Sequence, residues 1–454
     1  MKEDHIKQLK ELIQQNTQLQ KINHKLEERI KELERQLNLN SENSSKPPSS
    51  DGLRKKPAPQ SLREKTGKVV GGQKGHVGKT LMQVEKPDHI VKHSVDSCEK
   101  CHKDLHHIES EVPICRQIFD IPEPKIIVTE HQSVIKTCPC GHKNIAKFPP
   151  NIKGPVQYGS NIATKVVYLS VQQLIPEKRI KEIFKDWFKT PINTATIENI
   201  LKKAAEKIHP IQEENLRQLN KAPVKNHDES GYRIGGKTNW LQVLCNEFYT
   251  FFRPTEKRGN IIQEGLEGGI FVHDHFKSYD EVYGVLHAFC NAHHLRELKA
   301  LMEIEKEEWA FEMYKWLCGA NKYKKECEKK GKSLNKVVIQ EMQLSYLKIL
   351  AQGLLFHESE QPLGKNKKRI GHNLLVRLRD CKEETWRFLT HFECPFTNNQ
   401  AEQDIRMIKV KQKISGGFRT MKGAETFCTL RGFISTQRKQ GENVFCSLQT
   451  AIAL

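Results

Sequence analysis

The chain has 454 residues, 37% of them apolar, so it can bury ordinary hydrophobic cores and form several domains. Lys and Arg number 74 against 55 Asp and Glu, and the net charge of +19 indicates a polyanionic partner, with nucleic acid ahead of an anionic membrane surface. No run approaches the roughly 18 consecutive apolar residues that span a bilayer, and the chain is charged from Lys2 onward, so we predict a cytoplasmic protein without membrane contact.

Residues 1–40 carry a seven-residue repeat that forms the a/d seam of a coiled coil. Its two series are Leu12, Leu19, Leu26 and Leu33, and Leu9, Asn16, Asn23, Ile30 and Leu37. The repeat predicts a leucine zipper that joins the chain into a homodimer or a higher oligomer. A single amphipathic helix packed on its own chain is the alternative.

Residues 41–92 are rich in Ser, Pro, Gly and Lys, with 11 Lys and Arg against 5 acids, and they predict a basic flexible linker. The stretch "GGQKGHVGKT" imitates a phosphate-binding loop. That loop requires Gly five residues before Gly78, where this chain has Gln73, and no apolar strand precedes it. We therefore predict no ATP site here.

Residues 93–150 contain two close cysteine pairs, Cys98 with Cys101 and Cys138 with Cys140. Four thiolates on two tight turns can hold a tetrahedral Zn²⁺ ion, which would stabilise a domain too small to have much core. We predict a structural zinc site. His142 or Cys115 as a replacement ligand, and four unrelated reduced cysteines, stay open as alternatives. The odd total of thirteen cysteines also favours reduced thiols over a disulfide framework.

Residues 151–220 have helical patterns. Ile180, Ile183, Phe184 and Trp187 share one helical face, and a second helix follows the break at residues 190–191, with Asn193 or Thr194 as its cap. Two helices joined by a turn resemble a helix-turn-helix, which predicts DNA binding, although such pairs also occur in other helical domains.

The pattern changes after residue 220. "NWLQVLCN", "FYTFFRP", "GGIFVHD" and "VLHAFCN" predict four strands within residues 221–294. Residues 295–390 are charged and helical, and residues 391–454 return to the α/β region. The prediction is thus an α/β core interrupted by a helical insertion.

Three acids occur where predicted strands or helices begin or end: Asp228, Asp274 and Glu402. Phosphodiester chemistry commonly uses two Mg²⁺ ions that carboxylates hold about 4 Å apart, so these acids are candidate catalytic and magnesium-binding residues. Each has another interpretation: Asp228 in a turn, Asp274 as a helix cap, and Glu402 in a capping box with Asn399.

Basic residues follow Glu402 and are candidate DNA phosphate contacts: Arg406, Lys409, Lys411 and Lys413. A carboxylate before these basic residues would by itself repel phosphate. A metal ion resolves this, because Glu402 would bind the cation and the cation would bind phosphate. His273 and His275, which flank Asp274, could be ligands or structural residues. Cys290 and His293 could bind metal with unidentified partners or pack structurally.

Several motifs in this order resemble the transposases of insertion-sequence family sixty-six. They are the zipper, "NSSKPPSSDGL", "GGQKGHVGK", the cysteine pairs, "DESGYRIGGKTNWLQV", "HDHFKSY", "CNAHHLREL" and "NNQAEQDIRMIKVKQKISG". The resemblance covers nearly the whole chain. It implies an RNase-H-like catalytic core with a DDE triad, which falls on Asp228, Asp274 and Glu402.

The sequence and the resemblance together predict a multi-domain α+β protein with a coiled coil, a small zinc-binding domain, a helical DNA-binding domain and an RNase-H-like core with a helical insertion. The predicted function is that of a DDE transposase that uses two Mg²⁺ ions to cut the terminal repeats of its element and join them to target DNA, in a prokaryotic nucleoid and with accessory transposition proteins as optional partners. The rivals are a non-enzymatic zinc-containing dimeric DNA-binding regulator and a metal-dependent nuclease without strand transfer.

Overall fold

The computed structural model of the chain describes residues 2–39, 43, 75, 80–109, 114–359 and 370–453. These residues divide into two compact units, one within Pro57–Glu130 and one within Met1–Lys56 and His131–Leu454. In the described part of the chain, no helix is long and apolar enough to cross a membrane. Much of the predicted linker lies outside the described residues.

Helix α1, Lys2–Asn38, runs through almost all of the predicted zipper segment. Its leucine and isoleucine seam residues from Leu12 to Leu37 are 42–74% exposed. Near its end, Arg35 forms an ion pair of 3.5 Å with Glu305. The helix is confirmed, and its pairing with a second chain stays a prediction.

The cysteine-bearing segments have little regular structure. In one unit, an isolated bridge joins Ser97 to Asp104 around a tight turn. In the other, strands β1, Ile135–Thr137, and β2, Lys143–Ile145, form a short antiparallel hairpin. Each cysteine pair therefore lies on a turn between short extended segments.

Three helices precede the sheet: α2, Ser160–Val167, α3, Glu177–Phe188, and α4, Thr194–Lys221. Asn193 is the N-cap of α4, as predicted. Ile180 and Phe184 are buried, whereas Trp187 is 58% exposed. Because α2 and α4 pack with the C-terminal helices in one hydrophobic core, this helical region is continuous with the α/β part.

One mixed sheet of five strands forms the centre of the protein. The strands are β3, Val224–Ile234, β4, Lys237–Cys245, β5, Thr250–Thr255, β6, Ile270–His273, and β7, Leu286–Phe289. Their order is β5-β4-β3-β6-β7; β4 pairs antiparallel with both β3 and β5, and β6 and β7 are parallel to β3. The four predicted strands correspond to β4 to β7 and are confirmed.

Strand β3 is the central strand, and the sequence did not predict it. The placement of Asp228 before the first strand was wrong, because Asp228 lies inside β3 and pairs with Val243 of β4. The sequence "VKNHDESGYRI" contains Asn, Asp and Gly, which are rare in strands. Tertiary contacts on both sides of β3 outweigh this weak local preference.

The predicted insertion is helical. Its helices are α5, Asn291–Ala300, α6, Glu308–Lys329, α7, Lys336–Ser359, α8, Ile370–Asp380, and α9, Lys382–Thr390. Three more follow: α10, Asn399–Ser415, α11, Met421–Lys439, and α12, Val444–Ala453. The chain is thus a mixed α/β protein with a helical insertion after β7.

Two hydrophobic clusters cover one face of the sheet. Helices α4, α10 and α11 pack on β3 to β5 in the first, and the insertion helices pack against β6 and β7 in the second. Ala401 of α10 lies in the first cluster, and Phe396, shortly before α10, lies in the second. The start of α10 therefore lies where the two clusters meet.

Candidate active site

Strand register places Asp228 and Asp274 side by side. Asn226 of β3 pairs with Val272 of the parallel strand β6. Asp228 and Asp274 are each two residues further along, so they reach the same level on adjacent chains about 4.8 Å apart. Because side chains alternate along a strand, Asp228 is expected on the same face of the sheet as Asn226, and Asp274 on the same face as Val272.

Helix α10 places the third acid next to this pair. Ala401, Ile405 and Ile408 of α10 are buried against the sheet, and Glu402 follows Ala401 at the edge of that contact. The pKa of Asp228 is raised well above its usual range, first by burial, then by Glu229, and further by the charges of Glu402 and Asp274. Asp228 is therefore close enough to both of the other predicted acids to be repelled by their charges.

The structure contradicts the alternative role of Asp228 and agrees with that of Asp274. Asp228 lies in a strand, so its interpretation as a turn residue was wrong. Asp274 Oδ1 accepts a hydrogen bond of 2.9 Å from the Phe276 amide, so it does stabilise the turn after β6. That bond occupies one carboxylate oxygen and is compatible with a ligand role for the other.

Glu402 does not have the position of a capping-box residue. Asn398 is the N-cap of α10, which makes Glu402 the fourth helical residue instead of the third. Glu402 Oε1 is buried and has no hydrogen-bond partner among the described residues. A carboxylate that reached back to cap its own helix would accept an amide hydrogen bond.

Asn398 fixes the start of α10 against β3. Its Nδ2 donates to the carbonyl oxygen of His227 at 2.6 Å, and its Oδ1 accepts from Nδ2 of Asn226 at 2.9 Å. Its backbone N–H donates to Cys290 Sγ at 3.1 Å. This buried amide therefore connects Glu402, one turn later, to the strand that carries Asp228. Asn398 was not among the predicted site residues, although the two consecutive Asn residues before "QAE" are typical of a helix N-terminus.

The histidines beside Asp274 have structural contacts. His273 is buried, contacts the Asp274 carbonyl oxygen and lies 2.8 Å from His287 between ring nitrogens. Burial lowers the pKa of His273 to about 3, so it is neutral at physiological pH. His275 lies 3.5 Å from a Glu297 carboxylate oxygen.

The predicted basic residues of α10 do not share one face. At about 100° per residue, Arg406, Lys409 and Lys413 form a stripe with Glu402, four, seven and eleven residues after it. Lys411 follows by nine residues and lies on the opposite side, where its Nζ bonds Ser415 Oγ at 3.3 Å. The three cations of this stripe could contact successive phosphates of a DNA backbone. DNA contact by all four residues stays a prediction.

Each predicted zinc pair has its two thiols in contact. Backbone hydrogen bonds, that from Cys101 first, and the Cys101 thiol lower the pKa of Cys98. The backbone of His142 and then the thiol of Cys138 lower the pKa of Cys140. Cys98 and Cys101 lie in one unit and the other pair in the second unit, so the four-ligand zinc site stays a prediction.

Asp228 makes the stability of the metal-free protein depend on pH. Because its pKa is higher in the folded than in the unfolded chain, it stabilises the fold only at low pH, and that contribution is lost as the pH rises through the folded pKa. We expect Asp228→Asn to raise the melting temperature at neutral pH in chelator, with a gain that shrinks toward pH 4. Thermal unfolding of both proteins over a pH series measures this, and an Asn variant that is less stable at neutral pH would contradict it.

Comparisons with known proteins give two family matches. The model described as "Transposase IS66 family" matches residues 155–426, which is more than half of the chain. The model of a family of unknown function, DUF6444, matches residues 2–82. A search of curated proteins found no match.

Proposed function

The chain belongs to the IS66 family of transposases, and from this we propose that it cuts DNA at the ends of an insertion sequence and joins the freed ends to target DNA. The observation that carries the proposal is the effect of two distant acids on a third: beyond burial, the charges of Glu402, on α10, and of Asp274, directly after β6, both raise the pKa of Asp228 on β3. The 127 intervening residues between Asp274 and Glu402 contain an entire helical insertion, so sequence proximity does not account for this effect.

The sheet supports an RNase-H-like core. Three antiparallel strands are followed by two strands parallel to the first, and the first strand is central. The first acid lies on this central strand and the second directly follows its parallel neighbour. The third comes from a helix that packs on the same face.

The acids fit a pair of divalent cations. They are oxygen ligands, which Mg²⁺ prefers, and the buried Oε1 of Glu402, which accepts no hydrogen bond from the described residues, has the chemistry of a ligand atom. We propose that all three acids hold two Mg²⁺ ions, which would stabilise the attacking and leaving oxygens of the phosphodiester. Asp228 and Asp274 would lie between or beside the ions, and Glu402 would complete the second site.

The protein's own groups would position the DNA. Asn398 keeps Glu402 at a fixed place relative to β3, and Lys409, whose Nζ bonds the Gly231 carbonyl oxygen at 3.1 Å, lies next to the acids on the same stripe. Arg406, one turn after Glu402, and Lys413, one turn after Lys409, lie on the same stripe and would contact the DNA backbone. The strong positive net charge supports DNA as the partner and the nucleoid as the place of action.

A strand-transfer assay on labelled element ends tests the function and separates it from its rivals. We expect nicked ends and joined products in Mg²⁺. A regulator would bind the DNA without cutting it, and a nuclease would cut without joining.

The exposed seam of α1 supports dimerisation, because a helix with a lone apolar stripe gains most from a second copy. We expect Leu19→Lys with Leu26→Lys to convert the protein to a monomer in sedimentation experiments. The control is Gln14→Lys with Gln18→Lys, which adds the same charge off the seam and should keep the oligomer. Equal masses for both double variants would contradict the pairing.

We propose a structural zinc ion from the spacing of the cysteines; hydrogen bonds lower the pKa of one thiol in each pair, Cys98 and Cys140, which favours the thiolate form that binds a metal. We expect about one zinc per chain by metal analysis at this site. Cys98→Ser should remove it and make residues 93–150 more sensitive to protease. Cys446→Ser, at an exposed cysteine elsewhere, is the control and should keep both properties; an unchanged zinc content in Cys98→Ser would count against this ligand.

A further inference from the structure

Cys290 and His293 acquire a third neighbour in the folded protein. Cys290 directly precedes α5, and His293 lies in the first turn of that helix. Cys290 Sγ, a ring nitrogen of His293 and a carboxylate oxygen of Glu402 all lie within 4.8 Å of one another. The chain thus brings a thiol, an imidazole and a carboxylate together from two helices that are distant in sequence.

Two atoms of this cluster lack the partners that buried polar atoms normally have. His293 Nδ1 and Glu402 Oε1 are buried, and neither has a hydrogen-bond partner in the described part of the chain. Leaving such an atom unsatisfied typically costs about 1–3 kcal/mol. Both atoms belong to residues of the same cluster, so each residue has a ligand atom that no protein hydrogen bond occupies.

The donor set selects the kind of ion. Sulfur and imidazole nitrogen suit zinc-type transition metals, whereas Mg²⁺ takes oxygen ligands. Around tetrahedral zinc, bond lengths of about 2.0–2.3 Å put ligand atoms roughly 3.3–3.8 Å apart, so the side chains need to close by at most about 1–1.5 Å. Three protein ligands leave the fourth position open.

One group beside the cluster favours metal binding and another opposes it. The Asn398 amide donates to Cys290 Sγ, and this bond would also stabilise a metal-bound thiolate. The guanidinium of Arg296 lies 3.9 Å from Glu402 Oε1 and opposes a cation there, so it would have to turn away. Binding would also release the Cys290 thiol proton to solvent.

We propose that Cys290, His293 and Glu402 form a binding site for one divalent transition-metal ion of the zinc type, adjacent to the three-acid site and sharing Glu402 with it. This site requires only the three side chains. Its consequence rests on the proposed function: a zinc ion that takes Glu402 removes a ligand from the Mg²⁺ pair, so zinc would inhibit cleavage.

Cobalt substitution tests the site without DNA or activity. The full-length protein is stripped of metal and titrated with Co²⁺, whose charge-transfer absorption reports thiolate ligands. We expect Cys290→Ala to bind one equivalent of Co²⁺ fewer than the wild type. Both proteins keep the two cysteine pairs near the N-terminal side of the chain, so Co²⁺ bound there does not differ between them. His293→Ala and Glu402→Gln should weaken binding of that equivalent by about tenfold or more.

Cys428→Ala is the matched control, because Cys428 is also buried but lies in the core of α11. It should bind as many equivalents as the wild type. Equal stoichiometry and equal thiolate absorption in the wild type and Cys290→Ala would overturn the site. If Cys290→Ala does not fold, the affinity of His293→Ala for this equivalent is the criterion, and an affinity equal to that of the wild type would overturn the site. Because strand transfer is measured separately in Mg²⁺, failure of the metal site and failure of the proposed function are distinguishable.

Discussion

Glu402→Gln is expected to keep the fold and DNA binding and to lose strand cleavage in Mg²⁺ by several orders of magnitude. The amide has almost the shape of the carboxylate but lacks the charge that holds a divalent cation. Asp228→Asn and Asp274→Asn should give the same result. Cleavage of labelled element ends by protein with a normal circular dichroism spectrum measures the loss.

Two variants serve as controls for this loss. Glu425→Gln makes the same change at an exposed position of α11 and should cleave normally. Asp404→Asn tests the nearest rival acid on α10, but Asp404 forms an ion pair of 2.5 Å with Lys439 and accepts from Thr250 at 3.0 Å, so its role is structural. We expect it to lower stability while the folded fraction still cleaves. Near-normal cleavage by folded Glu402→Gln would remove Glu402 from the proposed triad.

Gly269→Ala is expected to destabilise the protein by about 2–4 kcal/mol, a large part of the 5–15 kcal/mol that holds a typical domain. Gly269 has φ +76° and directly precedes β6. A Cβ there would lie 2.8 Å from the Ala222 carbonyl oxygen and 2.9 Å from that of Pro223. Relief requires β6 to move from the start of β3, and these are the strands that position Asp274 and Asp228. Denaturant unfolding measures the change.

Gly268→Ala separates backbone strain from this overlap. Gly268 has φ +58°, but a Cβ there meets nothing within 4 Å. The left-handed conformation alone should cost Ala about 1–2 kcal/mol. Equal losses in the two variants would show that the close approach at Gly269 does not matter.

The sequence predicted the elements whose signal is local. Strands β4 to β7 have short apolar runs, and the insertion has helical periodicity, so both were found. Strand β3 was missed because a polar central strand receives its stability from pairing on both sides. A strand that carries a buried acid necessarily departs from the apolar pattern that would reveal it.

The candidate site divides in the same way. The acids were selected as residue types at element ends, but their convergence depends on the register of β3 and β6 and on the packing of α10. Asn398 was missed because its contacts join residues more than a hundred positions apart. The proximity of Glu402 to Cys290 and His293 could likewise not be predicted from local sequence patterns, because it joins residues more than a hundred positions apart. The zipper pairing and the zinc ligands involve a second chain or a metal and stay predictions.

The distribution of the acids along the chain also has a consequence for synthesis. At about 5–20 residues per second, roughly 6–25 s separate translation of Asp274 from that of Glu402. During this interval the nascent sheet lacks α10 and α11, which cover one of its faces. A product that stops before residue 402 would contain α1, the helical region and only two of the three acids. We therefore expect it to pair with full-length chains through α1, to be inactive itself, and to lower the DNA cleavage activity of the mixed oligomer.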